Sequence, residues 1–365
     1  MPTTITKTIG VGKDYASISA WLAGANSTYP SGLVAADVIW KGVLYKEGAG
    51  TNGEWSITSD ISITTICDAT RYLWLTAAPG ASFTNNANKL TNALRYNNAN
   101  GVSVLSTVTG LGVFKTDSVA NNQKLLITGI QFSGSGTAYF AYFSNGSITL
   151  DSCILEYANV ASYGAFNAVD SLIRITASSS GCCNQWSGAV NSLRNCTIIG
   201  TGSSATAVVI GNYAPTGQII KNNAIFGFSA IRIDGNNKLD TTNSNYNATD
   251  LASFGWTATG NLVSKTFANQ FQSITGGSED FRVKAGADLI NAGVRDQTYT
   301  NDVDIVGSAR SLTTPTIGAW EYASSYQARI TWAEAQYQTA GVVTPTDYSS
   351  PMSRGIFRGI ERGVA

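Results

Sequence analysis

One short phrase returns through the middle of the chain and limits what it can fold into. It reads Ile127-Thr-Gly-Ile-Gln-Phe132, Leu150-Asp-Ser-Cys-Ile-Leu155, Val169-Asp-Ser-Leu-Ile-Arg-Ile175, Leu193-Arg-Asn-Cys-Thr-Ile198 and Ile220-Lys-Asn-Asn-Ala-Ile-Phe226. With Ile130, Cys153, Leu172, Cys196 and Ala224 as the equivalent position, the steps are 23, 19, 24 and 28 residues. A period in this range, in a β-rich chain, points to a solenoid of stacked strands over Leu125 to Asn247.

Strand alternation then assigns faces. Cys153 and Leu155, Cys196 and Ile198, and Ala224 and Phe226 are predicted to point inward, with Ile154, Thr197 and Ile225 outward. The preceding Gly129, Ser152, Ser171, Asn195 and Asn223 suit a bend, and stacked Asn side chains can bond from coil to coil. A second register remains open. Aligning Ser171 with Cys153 instead places Ile173 and Ile175 inside and keeps Arg174 out of the core.

The flanks are less regular. Thr4 to Ile9 reads as a strand, and Asp14 as the cap of an amphipathic helix, Tyr15 to Ala23, that covers the open end of the first coil. Ala36 to Tyr45, Trp55 to Cys67, Tyr72 to Ala77, Val102 to Leu105 and Val108 to Phe114 read as further strands. Val342 to Ala365 is net basic and lacks a core pattern. Alone it is expected to be disordered unless a neighbouring subunit or another protein holds it.

Composition removes several function classes. The 365 residues carry 23 basic and 23 acidic side chains, so no basic field for nucleic acid or anionic membrane exists. No histidine is present, which excludes Ser-His-Asp and Cys-His catalysis and His-ligated metal sites. No apolar run is long enough to span a membrane, and none follows Met1, so no secretory leader is expected. Charged residues make up only 13%. That fits an extracellular particle or glycan-contacting protein, and equally a plain β-solenoid. Cys153 and Cys196 are expected as small core hydrophobes, Cys182-Cys183 as a buried or turn pair rather than a reactive one, and the protein as folding in a reducing cytoplasm.

The two ends carry a resemblance. Gly12-Lys-Asp-Tyr-Ala-Ser-Ile-Ser-Ala-Trp21 is similar to the capping start of right-handed parallel β-helix proteins, especially those of bacteriophage virions and bacterial surfaces. Asp280-Phe-Arg-Val-Lys-Ala-Gly-Ala-Asp-Leu-Ile-Asn-Ala-Gly293, Asp304-Ile-Val-Gly-Ser-Ala-Arg310 and Ile317-Gly-Ala-Trp-Glu-Tyr322 resemble their closing segment. The family form runs roughly DFRLKAGSPLIDAGV, DIDGNPR, DIGAYEY. Asp288 replaces its usual Pro, and Thr316 its usual Asp. Ala328 to Tyr337 reads as a strand or a weak helix, and its resemblance to terminal strands of phage fibres favours strand. The implied fold is all-β: a single-stranded right-handed parallel β-helix with an N-terminal capping helix and an extended C-terminal arm. Its parts are residues 1–24, 25–322 and 323–365.

Candidate chemistry follows. β-Helix enzymes that cleave polysaccharides use outer-face carboxylates, about 5 Å apart in retaining glycosidases. Asp151 and Asp170 fall in successive repeats about one 4.8 Å step apart, Arg194 follows, and Glu156 lies nearby. Asp151, Asp170 and Arg194 form either a catalytic column with Glu156 beside it or a solvated turn ladder in which Arg194 offsets two stacked acids; the second register slips the column by one residue. Tyr139, Tyr142, Tyr157, Tyr163 and Trp186 are candidates for stacking on sugar rings, with Tyr139 to Phe143 also readable as core or subunit interface. Asp302 and Asp304 read as turn residues rather than Ca²⁺ ligands, and Gly10-Val-Gly-Lys13 lacks a phosphate-loop spacing. No metal or cofactor is expected.

The resemblance and the absent catalytic constellation together imply a non-enzymatic structural protein of a tailed-phage virion: a decoration, fibre or spike subunit. A homotrimer is expected, made in the host cytoplasm and anchored to capsid or tail proteins through Arg354, Ile356, Phe357, Arg358, Ile360 and Arg362. The alternatives are a tailspike-like polysaccharide depolymerase and a host-glycan-binding adhesin or secreted lyase.

Overall fold

A computed structural model describes residues 1–322 apart from 47–52, 86–91, 117–121, 135–138, 144–145, 158, 162–164, 177–182, 186–191, 201–205, 211–215, 234–237 and 297–301. Residues Met1–Tyr322 cluster as one contact unit. The predicted strand at 328–337, the C-terminal arm, Cys182, Tyr163, Trp186 and the anchoring residues lie outside the described residues.

The chain winds as a right-handed parallel β-helix. Its first sheet stacks eight strands in the order Thr3–Ile9, Val38–Leu44, Leu73–Ala77, Gln123–Thr128, Gly146–Asp151, Ala165–Val169, Ser192–Arg194 and Ile219–Lys221. The second stacks Trp55–Ile57, Ser103–Ser106, Gln131–Gly134, Ile154–Tyr157, Leu172–Ile175, Thr197–Gly200, Ala224–Phe226 and Ala248–Thr249. A third, of seven strands, runs from Ile61–Ser62 to Ala230–Ile233.

The corner between the first and second sheets explains the recurring phrase. Gly129, Ser152, Asp170, Asn195 and Asn222 all have left-handed backbone, with φ of 68°, 51°, 44°, 52° and 56°. Gly, Asn and Asp tolerate this conformation, and Ser152 adopts it at some cost. The next residue, Ile130, Cys153, Ser171, Cys196 or Asn223, is fully buried. Strand pairing of Ile154 with Leu172, and of Thr197 with Ala224, fixes this alignment. The second register is therefore the real one. Leu172 and Ala224 face outward, and Ile225 faces inward, reversing the first assignment; Ile173 and Ile198 join it in the core.

At four corners the ladder breaks, and side chains further along the chain satisfy the freed amides. Cys153 N–H donates to Ser171 Oγ at 3.1 Å, and Cys196 N–H to Asn223 Oδ1 at 2.9 Å. Asn223 N–H donates to Asn247 Oδ1 at 3.0 Å, and Asn247 N–H to Asn261 Oδ1 at 2.9 Å. The amides of Asn223 and Asn247 also donate to Leu193 O and Ile220 O, each at 2.8 Å. Burial pushes the Cys153 thiol up to about 12 and the Cys67 thiol up to about 11, so both stay protonated and unreactive.

Around this ladder the core is layered. Leu75, Ile127, Leu150, Ala168, Leu193 and Ile220 stack along the first sheet. Phe114, Phe132, Phe140 and Tyr157 meet edge to face, with centroids 5.1 to 6.1 Å apart.

The entry differs in detail from expectation. The helix spans Ile18–Thr28, with Ser17 rather than Asp14 as its cap; Ser17 Oγ accepts from Ala20 N–H at 3.1 Å. Asp14 instead accepts from Thr8 N–H at 2.7 Å. Trp21 lies over Gly42, where an added Cβ would approach the indole to 2.6 Å, so the helix closes the first coil against a glycine. A short second helix, Gly32–Ala36, follows, and the predicted strand at Trp55 to Cys67 is broken into Trp55–Ile57 and Ile61–Ser62.

After Thr249 the chain leaves the coil and runs along the outside of the second sheet. There Phe271, Phe281, Val283, Leu289, Ile305, Ile317 and Trp320 pack on outward Ile154, Leu172, Ile199, Ala224, Phe226 and Ala248 as a second core. Phe271–Ser273 and Asp280–Val283 pair antiparallel within it. The closing motif thus covers a side of the solenoid. Replacing Asn223 with Ala strands Cys196 N–H and Leu193 O, and unbonded buried groups cost about 1–3 kcal/mol each; urea unfolding should show a loss of roughly 2–4 kcal/mol.

Candidate functional site

Three charged seams fasten the closing segment to the coils. In the first, Arg174 bridges Glu156 at 3.2 Å in the neighbouring coil and Glu279 of the closing segment. Arg95 reaches the same Glu279 at 3.5 Å, and Glu156 Oε1 accepts Tyr96 N–H at 2.7 Å. In the second, Arg194 pairs with Asp296, which Lys221 approaches to 3.7 Å.

The third is the most buried. Arg310 donates to Asp170 Oδ1 from Nη2 at 2.8 Å and from Nε at 3.1 Å. Its guanidinium also donates to the carbonyls of Val303, Thr316, Gly318 and Ala319, and lies 3.6 Å from Glu321. The Asp170 and Arg310 side chains are 1% and 4% exposed. Gly318 has φ 104°, and a Cβ there would come within 2.8 Å of Thr197 Oγ1. Only glycine lets these carbonyls approach so closely.

The predicted catalytic column is therefore dispersed. Asp151 pairs in register with Val169, and Asp170 occupies the corner. Arg194 is in register with Val169, one coil further on. Asp170 and Arg194 hold the closing segment directly, and Glu156 does so only through Arg174, so the three do not line a shared site. Asp302 pairs with Arg295, and Asp304 accepts backbone N–H groups from Val306, Ser308 and Glu321. Among the described residues, no cluster of three or more His, Cys, Asp or Glu has the form of a metal site.

Asp151 keeps an open position. It lies in a shallow groove of about 280 Å³ with Trp74, Thr76, Thr84, Thr128 and Ser152. Ser152 Oγ donates to its carboxylate at 2.9 Å, and burial pushes its pKa up. Lys41 Nζ sits 3.8 Å from the Trp74 ring centroid, and Lys124 Nζ lies 5.4 Å from that of Tyr72. Asp151 is the groove's one carboxylate among the described residues, whereas glycoside hydrolysis uses two.

A larger cleft, about 480 Å³, opens between the second sheet and the closing segment. Arg174, Phe228, Asp250, Phe267, Ile274 and Glu279 line it. Burial raises the Asp250 pKa; its Oδ2 accepts Gly227 N–H at 3.0 Å, while Oδ1 has no partner. Sequence reading missed Asp250 and Glu279, as it missed Trp74 and Tyr72. Only the position of Glu279 directly before the Asp280-Phe-Arg motif hinted at a role.

The aromatic candidates also separate. Tyr139 and Tyr142 are half-buried on the third sheet. Tyr157 is fully buried with its ring 5.9 Å from Phe140, so it is core and not a sugar platform. Its neighbour Glu156 faces outward, and strand alternation turns Tyr157 in.

No protein-family model and no curated protein matches the chain. Among solved structures it is similar to a crystal structure of the pectate lyase Pel9A, with 12% identity over 88% of this chain and 98% of that chain, and a TM-score of 0.31. At that identity and score the likeness says nothing about activity.

Replacing Arg310 with Met leaves three buried carboxylates without their cation. Breaking a buried pair in this way costs about 3–5 kcal/mol. Limited proteolysis should cut within residues 287–322 of the variant before the coils are touched, with the wild type resistant under the same conditions.

Proposed function

We propose that the chain is a non-enzymatic structural subunit of a tailed-phage virion: a decoration, fibre or spike rod. One observation carries the reading. Of the four charges that suggested catalysis, Glu156, Asp170 and Arg194 are consumed in the seams that hold the closing segment, and Asp151 stays outside them in its groove. The resemblance of the entry and closing segments to virion β-helices supports the particle context. In this reading the subunit is a homotrimer, made in the host cytoplasm. Its basic tail, with Arg354, Ile356, Phe357, Arg358, Ile360 and Arg362, anchors it to capsid or tail proteins. Light scattering on the purified chain should give three times the monomer mass. A chain ending at Gly341 should fold but fail to sediment with particles that retain the full-length protein. A monomer whose truncation still attaches would sink the proposal.

One feature favours a second reading, a glycan-cleaving or glycan-binding protein. The cleft brings together Asp250, whose pKa is raised, Glu279 and two phenylalanines. Incubation with neutral and acidic polysaccharides, followed by reducing-end release and ultraviolet absorbance of unsaturated uronates, should show no turnover. Turnover that falls a hundredfold or more in Asp250→Asn would replace the structural reading with the enzymatic one.

A further inference from the structure

The third seam has more negative than positive groups. Asp170, Asp304 and Glu321 surround a single guanidinium, that of Arg310, and none of the four residues is more than 7% exposed. Asp304 is well served when ionised, because three backbone N–H groups point at it. Glu321 accepts N–H groups from Ser311 at 3.3 Å and Thr316 at 2.8 Å. Asp170 differs. Arg310 occupies its Oδ1, and its buried Oδ2 has no hydrogen-bond partner.

We propose that the Asp170–Arg310 contact is a proton-operated latch: a proton on Asp170 Oδ2 holds Asp302–Tyr322 on the coil, and its loss in mildly alkaline solution loosens that segment. A single cation then faces three buried anions, which repel one another and cannot be hydrated in place. The other charges near Asp170 do not offset this. Asp151 of the preceding coil adds to the negative field. Arg194 of the following coil is turned to Asp296, and Arg295 beside Arg310 is taken by Asp302.

Burial pushes the Asp170 carboxyl up to about 7, against the pull of Arg310, and Asp304 up to about 6. Glu321 is raised as well, also through burial. A carboxyl raised in the closed state stabilises closure fully below its ordinary value of about 3.9. That contribution is lost as pH rises through about 7. The latch is therefore tight in acid and weaker in mild alkali, opposite to an exposed salt bridge.

Hydrogen exchange of the full chain between pH 5.5 and 8.5, corrected for intrinsic rates, tests this. Opening of Asp302–Tyr322 should rise by at least about thirtyfold across that range by linkage, with Leu73–Ala77 and Gln123–Thr128 unchanged. Asp170→Asn keeps the corner conformation, which Asn195 and Asn222 adopt in neighbouring coils, and keeps an oxygen for Arg310. It should remove most of that effect, leaving the rise of about fourfold that Asp304 contributes by the same linkage. A flat wild-type profile would overturn the proposal, even if the variant failed to fold. So would an undiminished effect in Asp170→Asn, which would place the proton elsewhere. Neither outcome bears on whether the rod belongs to a virion.

Discussion

Stacking in this solenoid depends on what becomes of the backbone amide at each corner. Strand ladders satisfy amides only while the chain is straight, and a closed coil must bend. The bend is made by one residue in left-handed backbone, and at four corners the amide after it points at a side chain further along the chain. A short side chain there must accept from it while fitting inside a dry core. Ser171, Asn223, Asn247 and Asn261 do so. The buried polar residues Ser171, Asn223 and Asn247 in an otherwise apolar column follow from that one requirement.

The same corners explain why charge gathers where it does. Outward residues next to a corner lie at the border between the first sheet, which stays open, and the second, which the closing segment covers. Asp170 and Arg194 at that border reach across to the segment, while Glu156 and Arg174 meet it from further along the second sheet. Buried ion pairs of this kind add little net stability compared with apolar packing, but a mispaired one is expensive. Each pair is matched in only one alignment of the segment on the coil, and a shifted one would leave these charges buried without partners.

The fold was legible in the sequence because alternation and repeat length are local properties. Register was half legible. Matching apolar to apolar put Leu172 and Ala224 in the inward column, when the inward residues are the polar Ser171 and Asn223. A buried polar ladder defeats a rule that sends polar residues outside. The closing segment was recognised by resemblance, yet its place along the second sheet was not, since nothing local in Phe281 or Trp320 says which surface receives it. The seams were invisible for the same reason: Asp170 and Arg310 are 140 residues apart. Asp151 and Asp170, adjacent in the repeated phrase, separate once the corner residue is identified by its backbone.

A stack of coils in which each touches only its neighbours behaves like a spring, able to unwind from either end one turn at a time. The closing segment changes that mechanics. It bonds at Phe281 N–H to Ala93 O, at 2.8 Å, near the early coils. At Ala319 N–H it bonds to Thr197 Oγ1, at 2.9 Å, far along the rod. A turn between those points cannot peel away until the segment crossing it has been stripped. Tension applied along the axis is then shared over many coils at once, and the rod should fail as a unit instead of fraying.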